Sequence, residues 1–247
     1  MGHKNLFNDW ADVYDIVYQG KDADVDFYRD FTLDADGPVL EIGCGTGRVY
    51  LELLSANVDV YGIDVSGPML SVLRERARRR EFEPQVWQAD MRNFTADQTF
   101  NRIVVPFRTF LHNLNIDDQL ATLHRIRDHL TPNGKLAFDV FLPDPEIIAT
   151  KYGNEMKFEL ERDEQTYTVV QTYRLEDKVK RYMQLDRELF RDGERVGSVT
   201  YRHALLDKRT VELLLQQAGF DDWTVYGGFD GDPLTSADQE MVWVVKP

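Results

Sequence analysis

Three glycines within five residues are the first feature of this sequence that could take part in chemistry. They stand in the run Glu41-Ile42-Gly43-Cys44-Gly45-Thr46-Gly47, which continues the short apolar stretch 39–42. A glycine-rich turn between a strand and a helix lets the backbone approach a ligand closely, and the helix N-terminus offers free N–H groups. We therefore predict that residues 43–47, called the glycine turn below, bind a ligand rather than only connect two elements.

The spacing of the glycine turn separates it from two other nucleotide-binding loops. A dinucleotide loop reads Gly-x-Gly-x-x-Gly, whereas here the third glycine comes one residue early. The phosphate loop that ends in Gly-Lys-Ser/Thr does not occur in the sequence. The ligand is therefore a nucleoside of a different kind, or a nicotinamide cofactor bound by an altered loop.

Two acidic residues follow later strand-like stretches. Asp64 stands about 20 residues after the glycine turn, where an acid can bind the two hydroxyls of a ribose; the alternative is a carboxylate that caps a helix. Asp90 and Met91 follow the stretch 85–88 and can meet an adenine amine and ring. The alternative for this pair is an ordinary loop.

Alternating strand and helix patterns predict how these residues are positioned. The predicted strands cover residues 39–42, 58–63, 85–88, 102–107, 135–141, 223–227 and 241–245, and the predicted helices cover 6–18, 25–31, 46–54, 66–80, 117–130 and 210–218. This rhythm predicts an α/β fold with a Rossmann-like, mostly parallel sheet and helices on both faces. The carboxyl ends of the strands then bring the candidate residues to one edge of the sheet.

The rhythm changes between residues 150 and 206, where apolar and polar residues alternate with period two. Consecutive strands without helices indicate a small antiparallel β insert of three or four strands, with a hairpin turn at Asp192-Gly193. We therefore divide the chain into a main domain, 1–149 and 207–247, and an insert, 150–206.

The charge balance argues against a nucleic-acid partner. Against 29 Lys and Arg residues the chain has 43 Asp and Glu residues, a net charge of −14 among 247 residues. Nucleic-acid binders usually carry a basic surplus, because neutralised phosphates supply much of their affinity. We interpret the arginine-rich run 74–80 as the solvated end of a helix, where cations suit the helix dipole.

Three further observations concern the location of the protein. No run of 18 apolar residues occurs, so we predict no membrane partner. Residues 1–7 lack the apolar core of a signal peptide. Cys44 is the single cysteine, so no intrachain disulfide or cysteine-built metal cluster is available. We expect a cytoplasmic protein and assign no metal site.

These motifs together resemble class I S-adenosylmethionine-dependent methyltransferases. Residues 41–47 resemble that family's first motif, Asp64 falls at its ribose-binding acid, the pair 90–91 at its adenine-binding pair, and 131–135 resembles the turn before its fifth strand. The resemblance implies a seven-stranded sheet with an antiparallel last strand, S-adenosyl-L-methionine as cofactor, and methyl transfer.

The resemblance also implies a set of cofactor-binding residues. By position they are Gly43, Cys44, Gly45 and Thr46 at the methionine part, Asp64 at the ribose, Val65 and Met69 beside the adenine, Asp90 and Met91 at the base, and Phe107 in the segment that closes over the cofactor. On this basis Cys44 is a small residue of the motif and not a nucleophile.

Two segments resemble one branch of that family, which includes sugar N,N-dimethyltransferases. The run Trp10-Ala11-Asp12-Val13-Tyr14-Asp15 resembles the branch's opening, in which the tyrosine, here Tyr14, folds over the cofactor's carboxylate. The insert 150–206 resembles its lid, which covers the acceptor and in some members forms a homodimer interface. The alternative is an insert that only extends and stabilises the fold.

The methyl acceptor is predicted to be a small molecule. Motifs of adenine or glutamine amino-group methylation, of cytosine C5 chemistry and of radical chemistry do not occur, which leaves N- or O-methylation of a small acceptor. The resemblance implies His112, after the fourth strand, as the general base, and we place Arg108 beside it as a contact to an acidic acceptor. His203 is a weaker candidate in the insert, and His124 and His129 are predicted to lie on the surface.

Two other functions stay open at the sequence level. A non-catalytic regulator that binds S-adenosylmethionine would keep the same binding motifs. A nicotinamide-dependent oxidoreductase would use the same kind of sheet, although the glycine spacing argues against it.

Overall fold

The computed structural model describes residues 10–11, 13–20 and 22–247. Leu6, the first residue of the predicted N-terminal helical pattern, lies outside the described residues. In chain order the elements are α1 (Tyr14–Val17), α2 (Ala23–Leu33), β1 (Val39–Ile42), α3 (Tyr50–Ser55), β2 (Val60–Asp64), α4 (Gly67–Arg79), β3 (Gln85–Gln88), β4 (Phe100–Val105), α5 (Ile116–His129), β5 (Leu130–Phe141), α6 (Pro145–Lys151), β6 (Glu155–Arg162), β7 (Gln165–Asp177), β8 (Tyr182–Arg191), β9 (Glu194–Ala204), α7 (Lys208–Gln217), β10 (Asp222–Tyr226) and β11 (Glu240–Lys246).

Seven strands form the first sheet, in the order β10-β11-β5-β4-β1-β2-β3. The strands β1 to β5 pair in parallel, whereas β11 runs antiparallel to both β5 and β10. All four residues of the central strand β1 are buried, as expected for a strand covered on both faces. The predicted α/β fold class, including the antiparallel last strand, is confirmed.

Helices cover both faces of the first sheet and bury a hydrophobic core on each side. Residues of α5 and α7, such as Ile126 and Leu215, belong to one core. Residues of α2, α3 and α4, such as Tyr28, Leu53 and Leu73, belong to the other. None of the described helices has the length and apolar composition that crossing a membrane requires.

The first predicted helix after the glycine turn begins later than expected. The sequence predicts a start near Thr46, but α3 begins at Tyr50. Gly43, Gly45 and Gly47 have φ angles of +76°, +51° and +91°. Left-handed residues do not continue a right-handed helix, so the glycine turn extends through these positions before α3 can start.

The junction of α5 and β5 also departs from the prediction. The strand predicted at 135–141 begins at residue 130, because Leu130 pairs with Phe100 of β4 before the register jumps to Lys135. The predicted turn residues between them bulge out of the ladder. His129 is not a surface residue: it is 9% exposed, and its ring centroid lies 4.6 Å from that of Phe94. The prediction for His129 is therefore wrong.

The insert forms a separate four-stranded antiparallel sheet, in the order β6-β7-β8-β9. Its strands lie within the predicted range 150–206, and α6 crosses the predicted boundary. Val169 and Leu189 of this second sheet pack in one cluster with Trp10, Val17 and Tyr18 of the N-terminal segment. The N-terminal segment therefore helps to hold the second sheet, whose role as a lid stays a prediction.

Candidate active site

A cavity of about 450 Å³ lies between the two sheets. Residues at or just beyond the carboxyl ends of β1 to β4 line one side, and residues of β7, β8 and β9 line the other. The lining includes every predicted site residue, namely Tyr14, Gly43, Cys44, Gly45, Thr46, Asp64, Val65, Met69, Asp90, Met91, Phe107, Arg108 and His112. The fold therefore brings all of them to one space, while their individual roles stay predictions.

The glycine turn is tight on one side and open on the other. A Cβ atom on Gly43 would lie 2.5 Å from Thr109 Cγ2, so only glycine fits between the turn and the segment after β4. A Cβ atom on Gly45 would meet nothing closer than the Gly43 carbonyl oxygen, at 3.9 Å. Because Gly45 lines the cavity, a ligand can lie directly against its backbone.

Asp64 joins the glycine turn to the start of α4. Its Oδ2 accepts a hydrogen bond from the Gly45 N–H at 2.9 Å, and its Oδ1 accepts one from the Ser66 N–H at 2.7 Å. The helix cap itself is Ser66, whose Oγ accepts a bond from the Met69 N–H. Burial raises the pKa of Asp64 above its usual value, against the effect of its backbone hydrogen bonds. The carboxylate is thus fixed at the cavity wall, and it is not the helix cap.

Two residues of the glycine turn use their side chains elsewhere. Cys44 is 3% exposed, and its Sγ packs over Gly62, where a Cβ atom would come within 2.9 Å of it. Burial raises the pKa of the Cys44 thiol well above its usual value, as expected for a packing residue and not for a nucleophile. The Thr46 hydroxyl donates to Asp15 Oδ1 at 3.0 Å. Both side chains therefore make their contacts within the protein. These two residues can contact a bound ligand through their backbone atoms.

The predicted adenine pair is already part of a polar network. Arg92 donates from Nε and Nη2 to the two carboxylate oxygens of Asp90, at 2.9 and 2.5 Å. The Asn113 amide donates to Met91 Sδ at 3.3 Å. Arg92 was not among the predicted site residues, although a basic residue two positions after Asp90 is a local signal for such a pair.

Glu41 is a buried acid at the base of the glycine turn. It is 2% exposed, and its Oε2 has no hydrogen-bond partner among the described residues. Burial raises its pKa to about 8, although Arg48 nearby lowers it. Arg48 is itself paired with Asp24, at 2.5 and 2.6 Å. Glu41 is therefore protonated at neutral pH and can donate or accept a hydrogen bond at the cavity wall.

The segment after β4 is held in an unusual conformation by Asp139. Phe107 and Arg108 have φ angles of +57° and +63°, the left-handed region that non-glycine residues rarely adopt. Their N–H groups donate to Asp139 at 2.7 and 2.9 Å, and the Tyr28 hydroxyl donates to it at 2.6 Å. Burial and the neighbouring Glu240 raise the pKa of Asp139 to about 7. These bonds stabilise the strained segment that carries Phe107 over the cavity.

Arg108, predicted to contact the acceptor, lines the cavity but is held in an ion pair within the protein. Its Nε and Nη2 donate to the two carboxylate oxygens of Glu240 at 2.8 and 2.5 Å. Because Glu240 neutralises this guanidinium, Arg108 gives no reason to expect an acidic acceptor. Asn113, the other residue behind that expectation, is 2% exposed and donates to the Phe110 carbonyl oxygen.

His112 meets the second sheet in an aromatic cluster. It ends a 3-10 turn, Thr109–His112, and its ring centroid lies 4.6 Å from that of His203 and 5.5 Å from that of Tyr201. His203 is 5% exposed, and neither ring nitrogen has a hydrogen-bond partner among the described residues. Burial lowers the pKa of His203 well below its usual value, so its ring is neutral at neutral pH.

A second aromatic group joins the N-terminal segment to the cavity. The ring centroids of Tyr14 and Tyr18 are 4.4 Å apart, and those of Tyr18 and Phe107 are 5.1 Å apart. Burial raises the pKa of Tyr14 above its usual value, so it remains a phenol that can donate a hydrogen bond. The Tyr18 hydroxyl accepts a bond from Arg187 of β8 at 2.5 Å.

The second sheet also contributes three polar residues to the cavity that were not predicted from the sequence. They are Tyr173, Arg187 and Tyr201. The strand register sets Leu185 opposite both Tyr173 and Tyr201, so these side chains share one face of the sheet with Arg187. A polar residue at an otherwise apolar position of a period-two pattern is the signal that could have identified Arg187.

Comparison with known proteins shows what the segment that lines the first-sheet side of the cavity is similar to. Residues 39–134 match the model of a family described as a methyltransferase domain. The cypemycin N-terminal methyltransferase of Streptomyces sp. is 27% identical over 208 residues, which cover 84% of this chain and 82% of that relative. The matched family segment contains the glycine turn, Asp64, the pair 90–91 and His112.

Solved structures share the fold over nearly the whole chain. The CcbJ methyltransferase from Streptomyces caelestis has a TM-score of 0.82 at 21% identity, covering 100% of this chain and 99% of that one. The S-adenosylmethionine-bound CalS10, an amino pentose methyltransferase from Micromonospora echinaspora, has a TM-score of 0.73 at 18% identity, covering 95% and 97%. At these identities the likeness establishes the fold alone.

The cavity fits the cofactor of this family. The open backbone at Gly45, the fixed carboxylate of Asp64 and the partnerless Oε2 of Glu41 provide contacts for a nucleoside that carries an amino acid. The match to a methyltransferase domain argues against the nicotinamide-dependent oxidoreductase that the sequence left open. The domain match makes the chain a methyltransferase, its fold is that of class I S-adenosylmethionine-dependent enzymes, and S-adenosyl-L-methionine is its cofactor.

Proposed function

We propose that this methyltransferase transfers the methyl group to an amino group of a small molecule, which binds between the two sheets. The observation that carries the proposal is the composition of the cavity wall. Predicted cofactor residues from the first sheet and polar side chains of the second sheet line the same space of about 450 Å³. A space of this size suits small ligands rather than a folded macromolecule.

The first sheet supplies the cofactor residues in this proposal. The backbone of the glycine turn holds the methionine part, Asp64 accepts hydrogen bonds from the ribose hydroxyls, and Asp90 and Met91 meet the adenine. Val65 and Met69 both line the cavity and pack against the adenine in this proposal. Val65 is 44% exposed, whereas Met69 is 3% exposed and belongs to the protein core. When bound, S-adenosyl-L-methionine supplies a methyl group activated by a sulfonium.

Tyr14 and Phe107 close this half of the cavity from above. Phe107 is fixed by the Asp139 hydrogen bond to its backbone, and the Arg48 guanidinium lies 4.6 Å from its ring centroid. The Tyr14 ring packs against the Tyr18 ring, which in turn packs against the Phe107 ring. Together these rings exclude water from the cofactor side, which favours the alignment of the reacting groups.

His112 is the general base of the proposed reaction. An amine binds a proton at neutral pH and must lose it before its lone pair can attack a methyl group. An imidazole is a side chain suited to take that proton near neutral pH. The neutral ring of His203, 4.6 Å away by centroid, can orient the acceptor by a hydrogen bond without competing for the proton.

The choice of an amine is supported by the names of two relatives. One similar protein is an N-terminal methyltransferase, and one similar structure is an amino pentose methyltransferase. Arg108 no longer favours an acidic group at the reacting position, because it pairs with Glu240. Transfer to a hydroxyl is the competing outcome of the test.

The test is a transfer assay with the full chain and methyl-labelled S-adenosylmethionine. The acceptor panel contains amino sugars and short peptides with free N-termini, and each amine is matched with its hydroxyl analogue. We expect label in amines only, and stabilisation against heat by S-adenosylhomocysteine but not by NAD. Label in hydroxyl analogues alone would contradict the amine assignment. If S-adenosylhomocysteine stabilises the chain but no acceptor of the panel receives a methyl group, the result would favour a non-catalytic regulator that binds S-adenosylmethionine.

A further inference from the structure

Four arginines line the cavity, and they differ in how their charges are balanced. Three are in ion pairs, Arg48 with Asp24, Arg92 with Asp90 and Arg108 with Glu240. Arg187 on β8 has no carboxylate partner among the residues that the structure describes. Within the described part of the chain, Arg187 is therefore the one cavity arginine whose charge no neighbouring acid neutralises.

Arg187 is nevertheless buried and held in place. It is 5% exposed, and its Nε and Nη2 donate to Gln171 Oε1 at 2.8 and 2.5 Å. Its Nη1 donates to the Tyr18 hydroxyl at 2.5 Å, and its guanidinium carbon lies 5.2 Å from the centre of the Tyr18 ring. Both partners are uncharged, and these three bonds use three of the five N–H groups of a guanidinium.

Burying a charge is unfavourable unless an opposite charge or enough hydrogen bonds compensate for it. Gln171 and Tyr18 fix the direction of the guanidinium but add no negative charge. A guanidinium held in this way matches a carboxylate or a phosphate, which it can bind through two parallel hydrogen bonds. We propose that Arg187 is the anion-binding residue of the cavity and takes a carboxylate or phosphate of a small molecule bound there.

This inference rests on the proposed function, since it assigns a contact within the same cavity. The anion can come from two sources, the amino-acid carboxylate of the cofactor or an acidic group of the acceptor. The Tyr18 ring, which lies against Tyr14, connects Arg187 to the cofactor side. The strand register connects it to the acceptor side: Met183, opposite His203, stands four residues from Arg187 on the same face, roughly 13 Å along the strand.

The test compares the binding of three probes by the full chain. S-adenosylhomocysteine has the amino-acid carboxylate, 5′-methylthioadenosine has the same nucleoside without it, and inorganic phosphate stands for an acidic group of the acceptor. Phosphate is titrated with and without saturating S-adenosylhomocysteine. Arg187→Met removes the charge, and Arg202→Met is the matched control, because Arg202 on the neighbouring strand is exposed and pairs with Glu176.

We expect Arg187→Met to weaken the binding of one anionic probe about tenfold or more. Its affinity for 5′-methylthioadenosine stays unchanged, which also shows that the variant is folded. A loss for S-adenosylhomocysteine assigns the cofactor carboxylate, and a loss for phosphate assigns the acceptor. Arg202→Met keeps all three affinities. If Arg187→Met does not fold, Arg187→Lys takes its place and loses severalfold affinity for the same probe, because it lacks the paired donors.

The inference is overturned if the Arg187 variants bind both S-adenosylhomocysteine and phosphate as the unaltered chain does. Arg187 would then only connect Tyr18 to Gln171. A different result would count against the proposed function: an unaltered chain that binds neither nucleoside. In that case the phosphate titration without nucleoside still decides whether Arg187 binds an anion.

Discussion

The two walls of the cavity differ in how their polar groups are satisfied. On the first-sheet side, Asp64 accepts two backbone hydrogen bonds and Asp90 pairs with Arg92. On the second-sheet side, neither ring nitrogen of His203 has a hydrogen-bond partner among the described residues. Among the same residues, Arg187 forms no ion pair with a carboxylate. Buried polar groups without partners cost about 1–3 kcal/mol each. The difference indicates that the polar groups of the first-sheet side are satisfied within the protein, whereas the second-sheet side keeps polar groups that a ligand can satisfy.

We expect the largest effect on turnover from a substitution of His112, where the two walls meet. His112→Ala should lower turnover by about 10²–10⁴-fold, because the acceptor loses its base. Affinity for S-adenosylhomocysteine should hardly change, since His112 belongs to the acceptor side. Steady-state transfer rates and calorimetry measure the two quantities.

His124→Ala is the control for His112, because His124 is an exposed histidine of α5. It should leave both turnover and affinity unchanged. Near-normal turnover of His112→Ala on its acceptor would remove His112 from the mechanism. A parallel loss of cofactor affinity would show that the two walls are not separate.

The next effect tests how rigid the cofactor side is. Gly43→Ala forces a left-handed alanine and places a Cβ atom 2.5 Å from Thr109 Cγ2. Strain and overpacking together should lower the free energy of unfolding by about 2–4 kcal/mol. Denaturant unfolding measures it.

Gly153→Ala separates the two causes, because Gly153 also has a positive φ, +88°, but nothing lies within 4 Å of an added Cβ. It should cost about 1 kcal/mol, the backbone strain alone. Equal losses in the two variants would mean that the contact with Thr109 is not tight.

The sequence predicted more of the first-sheet lining of the cavity than of the second-sheet lining, for a physical reason. The glycine turn and Asp64 lie within about 20 residues of each other, and the chemistry of the turn depends on local backbone angles. Arg187 and Tyr201 reach the cavity only because two sheets face each other, which no local pattern encodes. His112 was found through its position after β4, but its contact with His203 depends on that same packing.

Pairs that cross the chain were also beyond the sequence. Arg108 was expected to meet the acceptor, but Glu240 lies 132 positions away and binds it. Asp139 reaches Phe107 from the neighbouring strand. Electrostatic partners of this kind follow from the sheet order and not from the motif that contains each residue.

Glu41 is an exception on the first-sheet side, because its buried Oε2 has no hydrogen-bond partner among the described residues. Its pKa rises from 4.5 to about 8 on folding, so the folded chain keeps a proton that the unfolded chain releases. The stabilisation is complete below pH 4.5 and is lost as the pH rises toward 8. Relative to Glu41→Gln, the unaltered chain should lose up to about 1.4 kcal/mol of unfolding free energy per pH unit within this range.

Denaturant unfolding of both chains at several pH values measures that difference. Glu41→Gln is itself the matched control, because it keeps the size of the side chain and cannot titrate. A difference that stays constant between pH 5 and 8 would show that Glu41 is ionised in the folded chain.

The smallest effect on stability is expected at His203. His203→Leu replaces a buried ring, whose nitrogens have no partners in the described part of the chain, by an apolar side chain of similar size. The free energy of unfolding should change by less than about 1 kcal/mol, because no hydrogen bond within the protein is lost. The KM for the acceptor should rise, because the ligand loses its partner. A large loss of stability would indicate a structural role and would contradict the acceptor contact.

We propose that the first sheet binds the nucleoside of the cofactor, whereas His112 and His203 lie beside the acceptor. Calorimetry of S-adenosylhomocysteine with Asp64→Ala, Asp59→Ala and His203→Leu tests it most directly. Asp59 is an exposed acid that precedes β2, at the opposite edge of the sheet. We predict that Asp64→Ala weakens binding about tenfold or more, through lost hydrogen bonds to a charged group, and that the other two variants bind as the unaltered chain does. Unchanged affinity of Asp64→Ala, or an equal loss in His203→Leu, would contradict the claim.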